Sequence, residues 1–382
     1  MDDQDADLDN LVSELNQTAT PTATHRVAGF SPNVEMWLGR VRELDGSDLL
    51  LVAGAPPMIR AGGRMVRASD EILDGEDIER AVVPLAGPRV LQRYRDGGAV
   101  DLAFKLPALG RFRMNLHRER GRAAAAIRAL PKRLPALTEL GFTHDVGALA
   151  RLPRGLVLVG GPTGSGKTTT LAALVADINS RDARHIVTIE DPIEYEHSHG
   201  TSLIEQVEIG VDAADFPTAL RAALRQAPDV IVIGEMRDPE TMRIALGAAE
   251  TGHLVFATVH TTDVAAAVSR IADAFPSERQ NAVRQELSMA LAAVLTQTLV
   301  PTSARTLVPA AELLLVSYGA RQHIRRNALQ HLHQEITITR KAGSFTLEES
   351  LARLVQQGSL DRKEAVLRAA HPDELESILG RS

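Results

Sequence analysis

The chain has 382 residues, too many for one ordinary core, so two or three domains are expected. Its 42 basic and 49 acidic residues leave a net charge of −7, which speaks against a non-specific nucleic-acid binder, and it has no cysteine, which excludes disulfides and cysteine-ligated zinc. Apolar residues make up 44%, ordinary for a soluble globular protein, and no apolar run reaches the ~18 residues of a membrane span. The first residues, MDDQDADLDN, are the reverse of a secretory leader, so a cytoplasmic protein is expected, with membrane contact only through partners.

Residues 1–34 are acidic and then Thr/Pro-rich (TATPTAT), with too little apolar surface to offset the entropy of ordering. A disordered tail is expected there, with at most a short helix around Leu8 to Leu15. Residues 35–135 read as an α+β domain with an antiparallel sheet. VEMWLGRVREL has helical spacing at Val34, Trp37, Leu38 and Val41. LLLVAG and MIRAGGRMVRA read as strands, the second a hairpin turning on Gly62-Gly63. VDLAFKL, GRFRMNLHRER and AAAAIRAL read as three more. The last two carry Arg111, Arg113, Arg118, Arg120, Arg122 and Arg128, either a charged outer face or a functional one. Breakers over 136–154 suggest a linker. Over 155–300 the strands GLVLVGG, HIVTIED, DVIVIGE and HLVFATV alternate with helices, the pattern of an α/β fold whose parallel sheet is covered on both faces. From about 298, and so over 301–382, the chain reads as helical. Thr346-x-x-Glu349 and Asp361-x-x-Glu364 have capping-box spacing, Leu347, Leu351 and Leu354 mark a buried face, and Gly358 stops that helix.

The strongest chemical signal is Gly161-Pro162-Thr163-Gly164-Ser165-Gly166-Lys167-Thr168, which fits G-x-x-x-x-G-K-[ST] between an apolar strand and the helix TTTLAALVADI. Its glycines let backbone N–H groups close around phosphate oxygens, and the helix N-terminus adds its positive end. Lys167 is expected to reach the β- and γ-phosphates of ATP and Thr168 to ligate Mg²⁺, with Thr169 beside them in the binding set. Glu190, Asp191 and Glu194, in VTIEDPIEYEH, fall where a strand ends. Carboxylates there can hold hydrated Mg²⁺ or take a proton from an attacking water; alone they would read as a solvated acidic turn. DVIVIGEMRD ends its strand in Gly234-Glu235, with Gly where nucleotide hydrolases usually keep an Asp. Gly234 is expected to let backbone lie close to the nucleotide. His253 and His260 bracket the strand Leu254 to Val259, a spacing wrong for a shared metal; one could sense the γ-phosphate and the other brace a contact. His197/His199 and His331/His333 form H-x-H pairs that lack a third ligand at useful spacing.

These segments together, with GSDLLLVAGAPPMIR and GRFRMNLHRERG upstream and FTLEESLARLVQQGSLDRKEAVLRAA downstream, closely resemble the type IV pilus twitching-motility (retraction) ATPases, the PilT-like branch of the secretion-type ATPases. The resemblance spans roughly residues 35–370. It implies an N-terminal PAS-like domain, a C-terminal RecA-like ATPase domain, a homohexameric ring, ATP with Mg²⁺, and work on an inner-membrane pilus platform protein and the pilus machinery, without nucleic acid. It places Glu190, Asp191 and Glu194 in an acidic box, with Glu190 activating water, and gives Asp191 and Glu194 to the metal with Thr168. It makes Gly234-Glu235 the second acidic strand, with Glu235 supporting metal or water, so that which of Glu190 and Glu235 activates water stays open, and it makes His253 and His260 the histidine box. Arg113 and Arg128 match arginines that reach the nucleotide from the N-terminal domain. Two departures stand out. Leu50 replaces a His in SDLLL, and in GARQHIRRN only Arg321, Ile324 and Arg325 keep the segment associated with retraction, while Ala320, His323 and Arg326 do not. The Cys-x-x-Cys subdomain typical of the extension and secretion branches is missing from the sequence. The rival readings are an accessory retraction, pilus-assembly or type II secretion ATPase of the same fold, a non-hydrolysing ATP-binding ring subunit, and a DNA-translocating motor.

Overall fold

The computed structural model describes residues 32–303 and 306–380, so the expectations for the acidic tail and its short helix fall outside the described residues up to position 31. The backbone divides into two compact units, the first ending at Arg133 and the second beginning at Leu134.

The first unit opens with α1 (Pro32–Glu43). Val34, Trp37, Leu38 and Val41 lie at one helical face and are all buried. Val34 thus belongs to the core, and α1 begins three residues before the expected domain start at 35. Six strands follow: β1 (Asp48–Val52), β2 (Met58–Ala61), β3 (Arg64–Arg67), β4 (Ala99–Leu106), β5 (Gly110–Glu119) and β6 (Arg122–Ala129). They form one antiparallel sheet in the order β3-β2-β1-β6-β5-β4. Ala61 pairs with Arg64 across Gly62-Gly63, whose φ values of +53° and +76° are those a two-residue hairpin turn demands. Two helices for which the sequence reading made no provision, α2 (Gly75–Val82) and α3 (Pro88–Gly97), lie between β3 and β4. α2 carries a reciprocal box: Asp74 accepts from Asp77 N at 2.7 Å, and Asp77 accepts from Asp74 N at 2.9 Å. Period-2 alternation sorts the sheet into two faces. Phe112, Met114, Leu116 and Ile127 enter the core, and Arg113 and Arg128, cross-strand partners, share the opposite face. The α1 side chain Arg42 donates to the carbonyls of Leu109, Arg111 and Leu130, tying the helix to the strand ends.

The second unit is built on a seven-stranded sheet in the order β13-β12-β7-β11-β10-β8-β9. The strands are β7 (Gly155–Gly160), β8 (His185–Glu190), β9 (Leu203–Glu208), β10 (Val230–Ile233), β11 (Leu254–Val259), β12 (Leu291–Pro301) and β13 (Leu307–Leu315). All neighbours are parallel except β12 and β13. Every residue of β7, β10 and β11 is buried, as strands covered on both faces must be. The crossovers are α4 (Lys167–Arg181), α5 (Phe216–Ala223), α6 (Pro239–Glu250), α7 (Val264–Asp273) and α8 (Ser277–Ala290). The C-terminal helices are α9 (Tyr318–Arg325), α10 (Leu332–Ile338), α11 (Leu347–Gln356), α12 (Arg362–Arg368) and α13 (Pro372–Gly380).

Three expectations need correction here. The stretch from 298 begins as strand, not helix: LAAVLTQTLVP adds a parallel strand beside β7 and returns as β13. Pro309 is tolerated because β13 is an edge strand, where one row of N–H groups has no ladder partner to lose. The expected linker 136–154 is part of the fold, with Val146, Leu149 and Ala150 buried against α4. Asp361 caps α12 by accepting from Lys363 N, without the reciprocal Glu364 bond of a capping box, whereas Thr346 and Glu349 do form one.

Two half-buried histidines are expected to make the fold acid-sensitive. His144 stacks on Phe345 with centroids 4.1 Å apart, and burial followed by the charge of Arg353 lowers its pKa to about 4. His197, after β8, is lowered to about 4 by burial alone. Both folded values lie below the ordinary ~6.5, so the native state holds fewer protons than the unfolded chain. Their contribution is fully present above pH ~6.5 and is lost as pH falls toward 4. The urea midpoint is therefore expected to drop between pH 7 and pH 5, and to drop less in His144→Phe.

Candidate active site

β7 ends at Gly160 and α4 begins at Lys167, so the phosphate-loop motif forms the turn between a buried strand and a 15-residue helix. Pro162, Thr163 and Gly164 form its exposed tip, while Gly161, Ser165 and Lys167 are buried. Gly161 (φ +149°) sits so close to its neighbours that a Cβ there would lie 2.3 Å from Ser165 Oγ and 2.4 Å from the Gln297 carbonyl. Lys167 Nζ donates to the Gly161 and Pro162 carbonyls at 2.8 and 2.9 Å, arching back over the loop. Burial lowers its pKa, against the opposing pull of the Glu235 charge. α5, α6 and α7 each begin with an Asp side chain accepting from a first-turn N–H, but Gly166 gives α4 no such cap. The first N–H groups of α4, the glycine cradle and the buried lysine together fit the phosphates of a nucleotide.

Glu190 ends β8, which is separated from β7 by two strands, β11 and β10. Its Oε1 accepts from Thr188 Oγ1 at 2.7 Å and from Gln206 Nε2 at 3.2 Å. Burial raises its pKa despite these bonds, and the charge of Glu194 adds to the rise. Gln206, on β9, also donates to the Tyr195 carbonyl and accepts from His197 N, so one amide holds both Glu190 and the acidic turn. The Tyr195 hydroxyl lies 3.0 Å from Thr169 Oγ1, which joins that turn to the first turn of α4. Gln206 lies outside the sequence motifs, and Tyr195, although inside VTIEDPIEYEH, is not one of its carboxylates.

Glu235, just past β10, forms ion pairs with Arg237 (2.6 Å) and with His260 Nε2 (2.9 Å) from the end of β11. Burial would raise its pKa, but the Arg237 bond and charge and the His260 contact outweigh it, and the net direction is down. Gly234 has a different use from the one expected. A Cβ there would lie 3.1 Å from the Ile189 carbonyl and 3.3 Å from Glu190 Cα, so its bareness lets β10 approach β8 at Glu190. The two glutamates thus stand on adjacent parallel strands, one held toward neutrality and one toward charge.

His253 is the clearest correction. Parallel pairing of β11 with β7 puts His253 beside Gly155, at the end of the sheet opposite the loop, about 20 Å from His260 at ~3.3 Å per residue. There its Nδ1 meets the Ala248 carbonyl at 2.9 Å, closing the end of α6, so within this chain it is no nucleotide contact. Among the described residues no three His, Cys, Asp or Glu side chains converge on an ion site, so the expected set of Thr168, Asp191 and Glu194, with two carboxylates, would hold a metal only together with phosphate oxygens and water. Thr168 at the head of α4 with a single carboxylate still suits Mg²⁺, which binds mainly through phosphates and water. The same finding removes both H-x-H pairs as metal sites; His333 instead pairs with Glu374 at 2.9 Å. In the first unit, Arg113 lies 3.5 Å from Asp101, and Arg128 2.9 Å from Asp48, both pairs at the surface.

A parallel sheet with a phosphate loop, a lysine and strand-end glutamates at one edge defines a P-loop ATPase. The family model described as Type II/IV secretion system protein matches residues 90–370. The chain belongs to that family. It is 39% identical over 327 residues to the type IV pilus retraction ATPase PilT of Pseudomonas aeruginosa, covering 86% of this chain and 95% of that protein. It is 40% identical over 325 residues to a twitching motility protein of Neisseria gonorrhoeae, covering 85% of this chain and 87% of that one. Among solved structures it resembles the pilus retraction motor PilT with bound ADP, with a TM-score of 0.82 and 40% identity, over 89% of this chain and 98% of that one.

Proposed function

We propose that this ATPase is the motor of type IV pilus retraction. The observation that carries the reading is the loop edge of the second unit, where Lys167, Glu190 and the Glu235–His260 pair stand together, in a chain that matches retraction ATPases over nearly their whole length. In the proposed reaction, loop N–H groups and Lys167 hold the β- and γ-phosphates of ATP. Glu190, kept from early ionisation by burial, orients water and accepts its proton as the γ-phosphoryl is displaced in line. Glu235, held anionic, fixes His260 and Arg237 at the same edge. The Mg²⁺ held by Thr168 and a strand-end carboxylate would neutralise phosphate charge. The finer parts of the reading are a homohexamer at the cytoplasmic side of the inner membrane, acting on a pilus platform protein without nucleic acid. They are supported by the family and by the absence, among the described residues, of any helix long and apolar enough to cross a membrane.

Arg113 and Arg128, side by side on the outer sheet face of the first unit, are proposed to act in turnover by stabilising γ-phosphate charge. Arg113→Ala should leave ADP affinity within about twofold while turnover falls on the order of 10²-fold. Unchanged turnover would remove Arg113 from the site. The direction of work is tested in the host: deletion of the gene should give excess surface pili and no twitching, whereas loss of pili would mean extension. Extension remains the one competing direction because the retraction-associated segment, here α9, is only partly kept. Its Arg321 donates to the Ser288 and Met289 carbonyls at the end of α8 and Ile324 is buried, so two of the retained residues pack the helix, as does the altered position Ala320.

A further inference from the structure

The phosphate loop is gripped from a strand that lies outside every motif. Gln297, on β12, is buried, with only 4% of its surface exposed. Its Nε2 donates to the Ser165 carbonyl at 2.7 Å, and its Oε1 accepts from Thr170 Oγ1 at 2.9 Å. Its own carbonyl closes on Gly161 from behind. One side chain therefore spans the loop from Ser165 to the first turn of α4, using both halves of its amide. A hydrocarbon of the same shape would leave a carbonyl and a hydroxyl buried without partners.

The hold continues sideways. The neighbouring Thr296 donates from Oγ1 to Glu312 Oε1 on β13 at 3.0 Å, and the same oxygen accepts from Val264 N at 2.7 Å. Val264 opens α7, four residues after His260. At Gly160, where the loop starts, a Cβ would meet Thr296 Cγ2 at 2.8 Å and Thr261 Oγ1 at 3.0 Å. The end of β7 is thus wedged between β12 and the segment that carries His260, with no slack on either side.

We infer that Gln297 is the positioning residue of the phosphate loop, and that Glu312 extends its grip to the start of α7, so that the loop and the His260 segment are set as one piece. This rests on the reading that the loop binds nucleotide phosphates. Coupling through such a chain has to be shown by energetics, since adjacency alone does not establish it.

The test compares fluorescent ADP with fluorescent AMP. In Gln297→Leu, affinity for ADP should fall about tenfold more than affinity for AMP, because the loop cradles the β-phosphate; a general folding defect would weaken both alike. Combining Gln297→Leu with Thr170→Val removes the unpaired hydroxyl, and the double variant should lose less than the sum of the two singles. For the second link, Glu312→Leu should lower kcat about tenfold with KM for ATP within about twofold, and Glu312→Gln, which keeps an acceptor, should recover most of that loss. An unchanged ADP/AMP ratio in Gln297→Leu, or strictly additive losses, overturns the role of Gln297. Equal behaviour of Glu312→Leu and Glu312→Gln overturns the extension to α7. A wild-type protein that does not bind ADP would instead sink the phosphate-loop reading itself.

Discussion

Replacing Glu190 by Gln should lower ATP turnover on the order of 10³-fold while leaving ADP binding within a few-fold. The amide keeps the shape and can still meet Thr188 and Gln206, which hold the carboxylate at 2.7 and 3.2 Å, but it cannot accept a proton from water. Glu190 is the better candidate for the base because burial raises its pKa, which moves a carboxylate toward the working pH, whereas the Arg237 and His260 contacts outweigh burial at Glu235 and make it a weaker proton acceptor. Turnover by the wild type should accordingly decline on the acid side at a pH above the ordinary carboxylate range, and that limb should vanish in Glu190→Gln. If Glu235→Gln proved the more damaging change and removed the acid limb, the two roles would be exchanged. Steady-state turnover from pH 5 to 8 decides between them.

The second large effect is expected at Gly161. Gly161→Ala should abolish measurable ADP binding, a loss of at least about 10²-fold, because a displacement near 1 Å in a phosphate cradle is enough for that. The added methyl would meet the Ser165 hydroxyl at 2.3 Å and the Gln297 backbone carbonyl at 2.4 Å, and the carbonyl cannot step aside. Gly164→Ala is the internal control. Its φ of +79° also disfavours a side chain, but no atom lies within 4 Å of the added methyl, so only the strain of about 1–2 kcal/mol applies. Its ADP affinity should fall by no more than about 30-fold, the equivalent of that strain, read by the same titration. Similar losses in both variants would show that backbone freedom, rather than close approach, is what the first glycine supplies.

Much of the molecule could be read directly because its signals are local. The phosphate loop declares itself by spacing, and the buried strands β7, β8, β10 and β11 by unbroken apolar runs. The turn at Gly62-Gly63 needs only two residues to be legible. The rest failed for reasons that are not local. LAAVLTQTLVP suits helix or strand by composition, and its place beside β7 is a tertiary fact. His253 and His260 stand at opposite ends of one strand already in the sequence, but which end meets the phosphate loop is set by the pairing of β11 with β7. Gln297, Gln206 and Glu312 work through partners 132, 16 and 48 residues away, so no window of sequence could have exposed them. α2 could have been found from Asp74-x-x-Asp77, a box written with Asp where Glu or Gln is usual.

The close approach at Gly234 has a consequence for how such a site can change. An Asp at 234 would restore the ordinary strand ending of a nucleotide hydrolase, yet its Cβ would press on the backbone of Glu190 at 3.3 Å and on the Ile189 carbonyl at 3.1 Å. Gaining that ligand would therefore require the backbone at Ile189 and Glu190 to give by a few tenths of an ångström. The two positions form a single linked choice: an acid on β10 at the glycine, or a base set tightly on β8. Gly234→Asp is accordingly expected to disturb the setting of Glu190 as well as adding a carboxylate, which turnover of that variant would read.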